Sequence, residues 1–227
     1  MNIKESLLRK IGIVGIVLFI AVSIPAQAQL SVGIRGGLSY SGMSYRSNPA
    51  IPSKKVHGLK NKPVFGLVVE HYYQNHAGIE LDIQYVSTGY IEYNDEKTLS
   101  NETQFDYLKI PVLSNFYFGG SGRFHIKMGP HFGYLLKAED VRREFESTNP
   151  NIPILPTYGQ PGDDPKRFMY GLTAGAGISK VFGKSTIVAE VRASYELGRP
   201  ESQDRIFDMS ATNLEFTVSY LFKVIDR

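Results

Sequence analysis

The stretch Asn213-Leu-Glu-Phe-Thr-Val-Ser-Tyr-Leu-Phe222 decides the fold. Leu214, Phe216, Val218, Tyr220 and Phe222 share one face, and Asn213, Glu215, Thr217 and Ser219 share the other. A period of two makes this a β-strand. In a soluble protein the apolar face would turn into a core, whereas in an outer-membrane barrel it would turn out to lipid and leave the polar face inside. The rest of the chain chooses between these readings.

Seven more segments carry the same alternation: Leu30 to Tyr40, Val64 to Tyr73, Ile79 to Tyr90, Phe105 to Phe118, Phe124 to Leu136, Phe168 to Val181 and Ser185 to Leu197. Most approach the ~9–11 residues that a tilted strand needs to cross a bilayer. Their connections alternate in length. Ser41 to Pro63, Ile91 to Gln104, Lys137 to Arg167 and Gly198 to Thr212 are long, while Gln74 to Gly78, Gly119 to Arg123 and Phe182 to Lys184 are short. Long loops on one side and short turns on the other mark an up-and-down outer-membrane barrel, with the short turns facing the periplasm. A sandwich gives no reason for this rhythm.

Aromatic residues collect at the ends of the segments. Tyr72, Tyr73, Phe116, Tyr117, Phe118, Phe124, Phe182, Tyr220 and Phe222 lie at the short-turn ends. Tyr40, Tyr90, Phe105, Tyr107, Tyr134, Phe168, Tyr170 and Tyr195 lie at the long-loop ends. Two girdles at the headgroup levels of a bilayer are expected from this. The charges inside the segments, Arg35, Glu70, Glu80, Asp82, Lys109, Lys127, Glu190, Arg192 and Glu215, all fall on the polar face. Turned inward, four cations would meet five anions in a nearly neutral network that fills a lumen just wide enough for side chains. Gly33, Gly37, Gly66, Gly129, Gly133, Gly175 and Gly177 would make room for it.

The N-terminus supplies the compartment. Lys4, Arg9 and Lys10 precede an apolar run from Ile11 to Ile24, followed by Pro25 and Ala26-Gln27-Ala28. This is the pattern of a secretory signal peptide over residues 1–28, cleaved after Ala28, and the run is shorter than the ~20 residues of a membrane-spanning helix. Residues 29–227 then form the barrel domain. The chain has no Cys, hence no disulfide or thiolate chemistry, and its net charge of +3 is spread too evenly to suggest nucleic acid as a partner.

The segment Tyr107-Leu-Lys-Ile-Pro-Val-Leu113 resembles the strand signature of the porin-like, PorT-type outer-membrane β-barrel family of Bacteroidetes. The likeness extends through Lys127-Met-Gly-Pro-His-Phe-Gly-Tyr-Leu-Leu136, Gly171-Leu-Thr-Ala-Gly-Ala-Gly177 and Glu190-Val-Arg192. It implies an outer-membrane barrel, without implying a pore or a role in secretion. The family pattern has Glu more often at the position of Lys109, which implies a rearranged lumen pairing. Tyr220 and Phe222 resemble the C-terminal aromatic signal read by barrel assembly machinery, here followed by Lys223 to Arg227.

Signals for chemistry are sparse. His125 or His131 with lumen carboxylates, or His71 at the periplasmic rim, are the candidates for a lipid-modifying enzyme, but no Ser stands in a nucleophile motif, and the protein is read as non-enzymatic. Nothing calls for a metal or cofactor; Asp163-Asp164 reads as a turn. The long loops carry Arg46, Lys54, Lys55, His57, Lys60 and Lys62, then Glu92, Asp95, Glu96 and Glu102, and a Pro-rich run from Pro150 to Pro165. Basic loops suit lipopolysaccharide phosphates or another extracellular ligand. The expectation is a monomeric, all-β, eight-stranded antiparallel transmembrane barrel with a filled lumen, acting in structure or surface interaction. The alternative is a narrow channel for ions or small solutes.

Overall fold

The computed structural model describes residues 29–46, 56–94, 96–146, 157–161, 165–197 and 208–225, with side chains left aside at 44–46 and 208–210. The signal-peptide reading, Lys54, Lys55, Asp95, Asp163, Asp164 and most of the Pro-rich run lie outside these residues. The strands are β1 (Gln29–Arg46), a two-residue β2 (His57–Gly58), β3 (Lys62–Tyr72), β4 (Ala77–Tyr93), β5 (Ser100–Gly119), β6 (Gly122–Arg143), β7 (Phe168–Phe182), β8 (Ser185–Glu196) and β9 (Asp208–Ile225).

Eight of them close a ring. Each long strand pairs antiparallel with the next, β4 pairs with β5, and β9 returns to β1 in a register running from Leu30 opposite Ile225 to Arg46 opposite Asp208. Closure pairs the wall backbone from strand to strand without leaving a sheet edge in lipid. The short β2 continues the line of β3 after a kink at Asn61, whose φ is 56°, and pairs with Tyr90 and Ile91 of β4.

Several strands run beyond the ends that the alternation suggests. β1 reaches Arg46 rather than Tyr40, β6 reaches Arg143 rather than Leu136, β5 begins at Ser100 rather than Phe105, and β9 at Asp208 rather than Asn213. All four extensions are on the long-loop side. Beyond the hydrocarbon region the outer face no longer meets lipid, so the apolar period fades, while the backbone ladder continues because its groups still need partners.

Polarity is inverted relative to a soluble protein. Ile34 is 62% exposed and Leu67 60%, whereas Arg192 and Lys109 are fully buried. The outward girdles contain Tyr73, Phe116, Phe118, Phe124, Phe182, Tyr220 and Phe222 on the short-turn side, and Tyr134, Phe168, Tyr170 and Tyr195 on the other. Tyr90, Phe105 and Tyr107 do not join the upper girdle, nor Tyr72 the lower, because all four are buried inside. All four share the parity of the inward charges: Tyr72 follows Glu70, Tyr90 continues the series of Asp82 and Gln84, and Phe105 and Tyr107 continue that of Lys109.

Candidate functional site

The interior is stacked in layers, and the strand register decides which residue enters each. Nearest the periplasm, Asn115 of β5 donates through Nδ2 to Glu70 Oε1 at 3.0 Å and to the Tyr72 hydroxyl at 2.9 Å. His125 of β6 bridges Asn115 Oδ1 at 3.1 Å and Ser179 Oγ at 2.8 Å. The order Ser179, His125, Asn115 is that of nucleophile, base and orienting amide, although all three side chains are buried in the wall.

The next layer is ionic. Arg192 sits at its centre, donating through Nη1 to Asp82 Oδ2 at 2.5 Å, through Nη2 to Glu80 Oε1 and through Nε to Glu190 Oε1. Arg35 donates to Asp82, to Glu80 Oε1 at 3.0 Å and to Ser219 Oγ at 2.9 Å. Lys127 completes the group with Glu80 Oε2 at 2.5 Å, Glu190 Oε2 at 2.7 Å and Glu70 Oε1 at 3.5 Å. Three cations thus share four carboxylates across β1, β3, β4, β6 and β8. The forked guanidinium groups suit this role because each reaches two or more carboxylates at once.

Bare backbone on β7 makes the space. Gly175 pairs with Arg192 and Gly177 with Glu190. A Cβ at Gly175 would stand 3.0 Å from Arg192 Cγ and 3.1 Å from Glu190 Oε1, so a larger residue there would require these side chains to give way.

Lys109 stands apart from that group. Its Nζ meets Glu215 Oε1 at 3.0 Å and Ser194 Oγ at 2.8 Å. Gln84 and Asn213 donate to the same carboxylate, each at 3.2 Å. The chain continues from Ser194 to Thr173 at 2.9 Å and from Thr173 to His131 Nδ1 at 2.9 Å. The nine charged residues on the polar face therefore occupy two layers: Arg192 with six others around it, and Lys109 with Glu215 above them.

Counting charges alone overlooks the neutral partners Asn115, Gln84, Ser179, Ser194, Thr173 and Asn213, and the buried Glu196. All lie on the same inward-facing positions, so the alternation already marked them. Their roles follow only from which neighbour lacks a partner.

Over this polar interior lies an apolar cap. Met43, Val64, Val86, Tyr90, Phe105, Tyr107, Leu135 and Met169 pack with Tyr158, from the long connection between β6 and β7. Tyr158 meets Phe105 edge-on with centroids 5.0 Å apart, and its backbone carbonyl accepts from Asp140 N at 3.1 Å. Leu59 is buried and anchored by its carbonyl, which accepts from Ser41 N at 2.9 Å. No hydropathy period marks Tyr158, since it comes from a loop.

At the outer rim, Lys62 donates to Glu102 at 3.0 Å and to Gln104 at 2.9 Å, so a basic residue of the first connection pairs with an acidic one of the second. A cleft of about 370 Å³ beside them is lined by His57, Leu59, Lys60, Lys62, Tyr93 and Glu102. Among the described residues no group of three or more His, Cys, Asp or Glu is placed to hold a metal ion.

An inverted polarity, a closed antiparallel ring and a side-chain-filled lumen define an eight-stranded transmembrane barrel. The chain belongs to the outer membrane protein beta-barrel domain family, whose pattern matches residues 26–199, and it is an outer-membrane protein. Among solved structures it is similar to neisserial surface protein A, NspA, at 12% identity over 86% of this chain and 98% of that one, with a TM-score of 0.46. It is also similar to Ail, the attachment invasion locus protein of Yersinia pestis, at 15% identity over 86% and 97%, with a TM-score of 0.39. The outer membrane protease OmpT of Escherichia coli is 8% identical over 86% and 96%, with a TM-score of 0.41. No curated protein matches the sequence.

Proposed function

We propose that this protein is a closed, non-conducting barrel that serves the outer membrane structurally or through surface contacts made by its extracellular connections. The observation that carries this is the double closure of the lumen: the ion-pair layer around Arg192 and, above it, the apolar cap around Phe105. An ion would have to break buried, mutually satisfied pairs and then cross an apolar constriction, and each step is costly. Planar-bilayer recording of the refolded protein tests it. A silent membrane is expected, and steady unitary currents would overturn the reading.

The second reading, a narrow channel for ions or small solutes, draws on Gln84 Oε1, His131 Nε2 and Asn213 Oδ1. These are buried atoms without a hydrogen-bond partner among the described residues, the kind of group that a buried water satisfies. The PorT-like kinship, cleavage after Ala28 and a monomeric state belong to the same proposal. No catalytic role is assigned: Ser179 and His125 read as a relay that fixes Asn115, which in turn holds Glu70. Lys60 and Lys62, with the basic residues of the first connection, are the groups that would meet lipopolysaccharide phosphates or an extracellular ligand.

Tyr220 and Phe222, outward-facing on the closing strand, are proposed as the signal for barrel assembly machinery. Phe222→Ala should lower the amount of folded barrel in the outer membrane severalfold. Heat-modifiable gel migration of membrane fractions measures this, and normal assembly of the variant would remove the assignment.

A further inference from the structure

The lipid-facing wall is not even. A groove of about 710 Å³ crosses it from β6 to β1, floored by Gly36, Ala176 and Ala189 and flanked by Phe124, Ile178 and Phe216. Register builds the floor: Gly36 lies opposite Val218, Val218 opposite Ala189 and Ala189 opposite Ile178, so small outward residues alternate with bulky ones around the wall. Toward the periplasm on the same outward face of β7, Lys180 follows Ile178, and the next turn carries Lys184. Lys180 Nζ donates to Ser121 Oγ of the neighbouring turn at 3.2 Å, a neutral partner.

Among the described residues of this rim, the Lys and Arg side chains gather on this side. Residues 119–126, 177–189 and 217–225 contain no Asp or Glu, while the turn on the other side, Tyr73 to His76, contains no Lys or Arg. Groove and cationic rim therefore coincide. We propose that together they hold one anionic phospholipid of the periplasmic leaflet, its acyl chain along the groove and its phosphate against Lys180, Lys184 and the Ser121 hydroxyl.

The distances suit such a ligand. Ala176 and Lys180 are four residues apart, about 13 Å along a strand at ~3.3 Å per residue, within the ~15 Å that half of a ~30 Å hydrocarbon core provides. A lysine there keeps its stem in the apolar layer and its ammonium among the headgroups. The short-turn position of the lysines excludes lipopolysaccharide, which belongs to the opposite leaflet. A second copy is a poorer occupant, because a two-fold contact over this groove would bring the lysine pair against its own equivalent.

The full mature chain in nanodiscs of equal phosphatidylethanolamine and phosphatidylglycerol, released for native mass spectrometry, tests the proposal. One retained phosphatidylglycerol is expected. K180Q/K184Q should lower its preference over phosphatidylethanolamine by more than tenfold, since each surface lysine favours an anionic headgroup by roughly fivefold. A189F, which fills the groove from the lipid side, should release the lipid of either headgroup while heat-modifiable migration shows the barrel intact. Unchanged phosphatidylglycerol retention in K180Q/K184Q would overturn the proposal, and so would a wild-type dimer that A189F converts to monomer. If A189F fails to fold, the lysine variant alone decides.

Discussion

Arg192→Met should destabilise the barrel by about 3–5 kcal/mol, the usual cost of removing one partner from a buried ionic group. The methionine fills much of the volume, so the loss is electrostatic: Glu80, Asp82 and Glu190 would remain buried around an apolar side chain, with only Arg35 and Lys127 to balance them. Denaturant unfolding of the refolded protein in detergent micelles measures the effect as a lowered midpoint. Arg192→Lys should recover only part of it. A single ammonium keeps the charge but cannot span the three carboxylates that the guanidinium now reaches through separate nitrogens. If both variants unfold with the wild type, the ion-pair layer is not what holds the interior together.

Phe105→Ala should cost a similar amount, about 3–5 kcal/mol, because a fully buried aromatic is removed from a packed cluster. Tyr158 loses its edge-on partner, and the connection between β6 and β7 loses an anchor. Limited proteolysis should therefore cut this connection faster in the variant. Conductance should stay absent, since the ion-pair layer below is untouched. A variant that conducts steadily would show that the cap alone closes the lumen, and the two-layer account of closure would fail.

Much of the architecture was legible in the residues. Leu214 to Phe222 and its seven counterparts show the period of two, and the rhythm of long and short connections separates a membrane barrel from a sandwich. The charges on the polar face could be listed strand by strand. Their partners could not, because Arg35 meets Asp82 across 47 positions and Lys109 meets Glu215 across 106. Such contacts depend on how far each strand is staggered when the sheet closes, and alternation within one strand carries no information about that. The neutral residues Asn115 and Gln84 were hidden for the same reason: an amide matters here only through the carboxylate opposite it.

Phe105 shows where the position of an aromatic along its strand misleads. Its place at a strand end suggests a girdle at the headgroups, but it shares the face of Tyr107 and Lys109. It therefore turns inward, where it meets Tyr158 from a connection that no periodicity marks.

By itself, then, the sequence determined strand number, the side on which the long connections lie, the inversion of polarity and the set of inward-facing charges. These rest on local spacing along single strands. Tertiary structure alone decided which charges share a layer, how far the strands run beyond their alternating segments, and that an apolar cluster packs over the polar interior, because each follows from register and closure between strands distant in the chain.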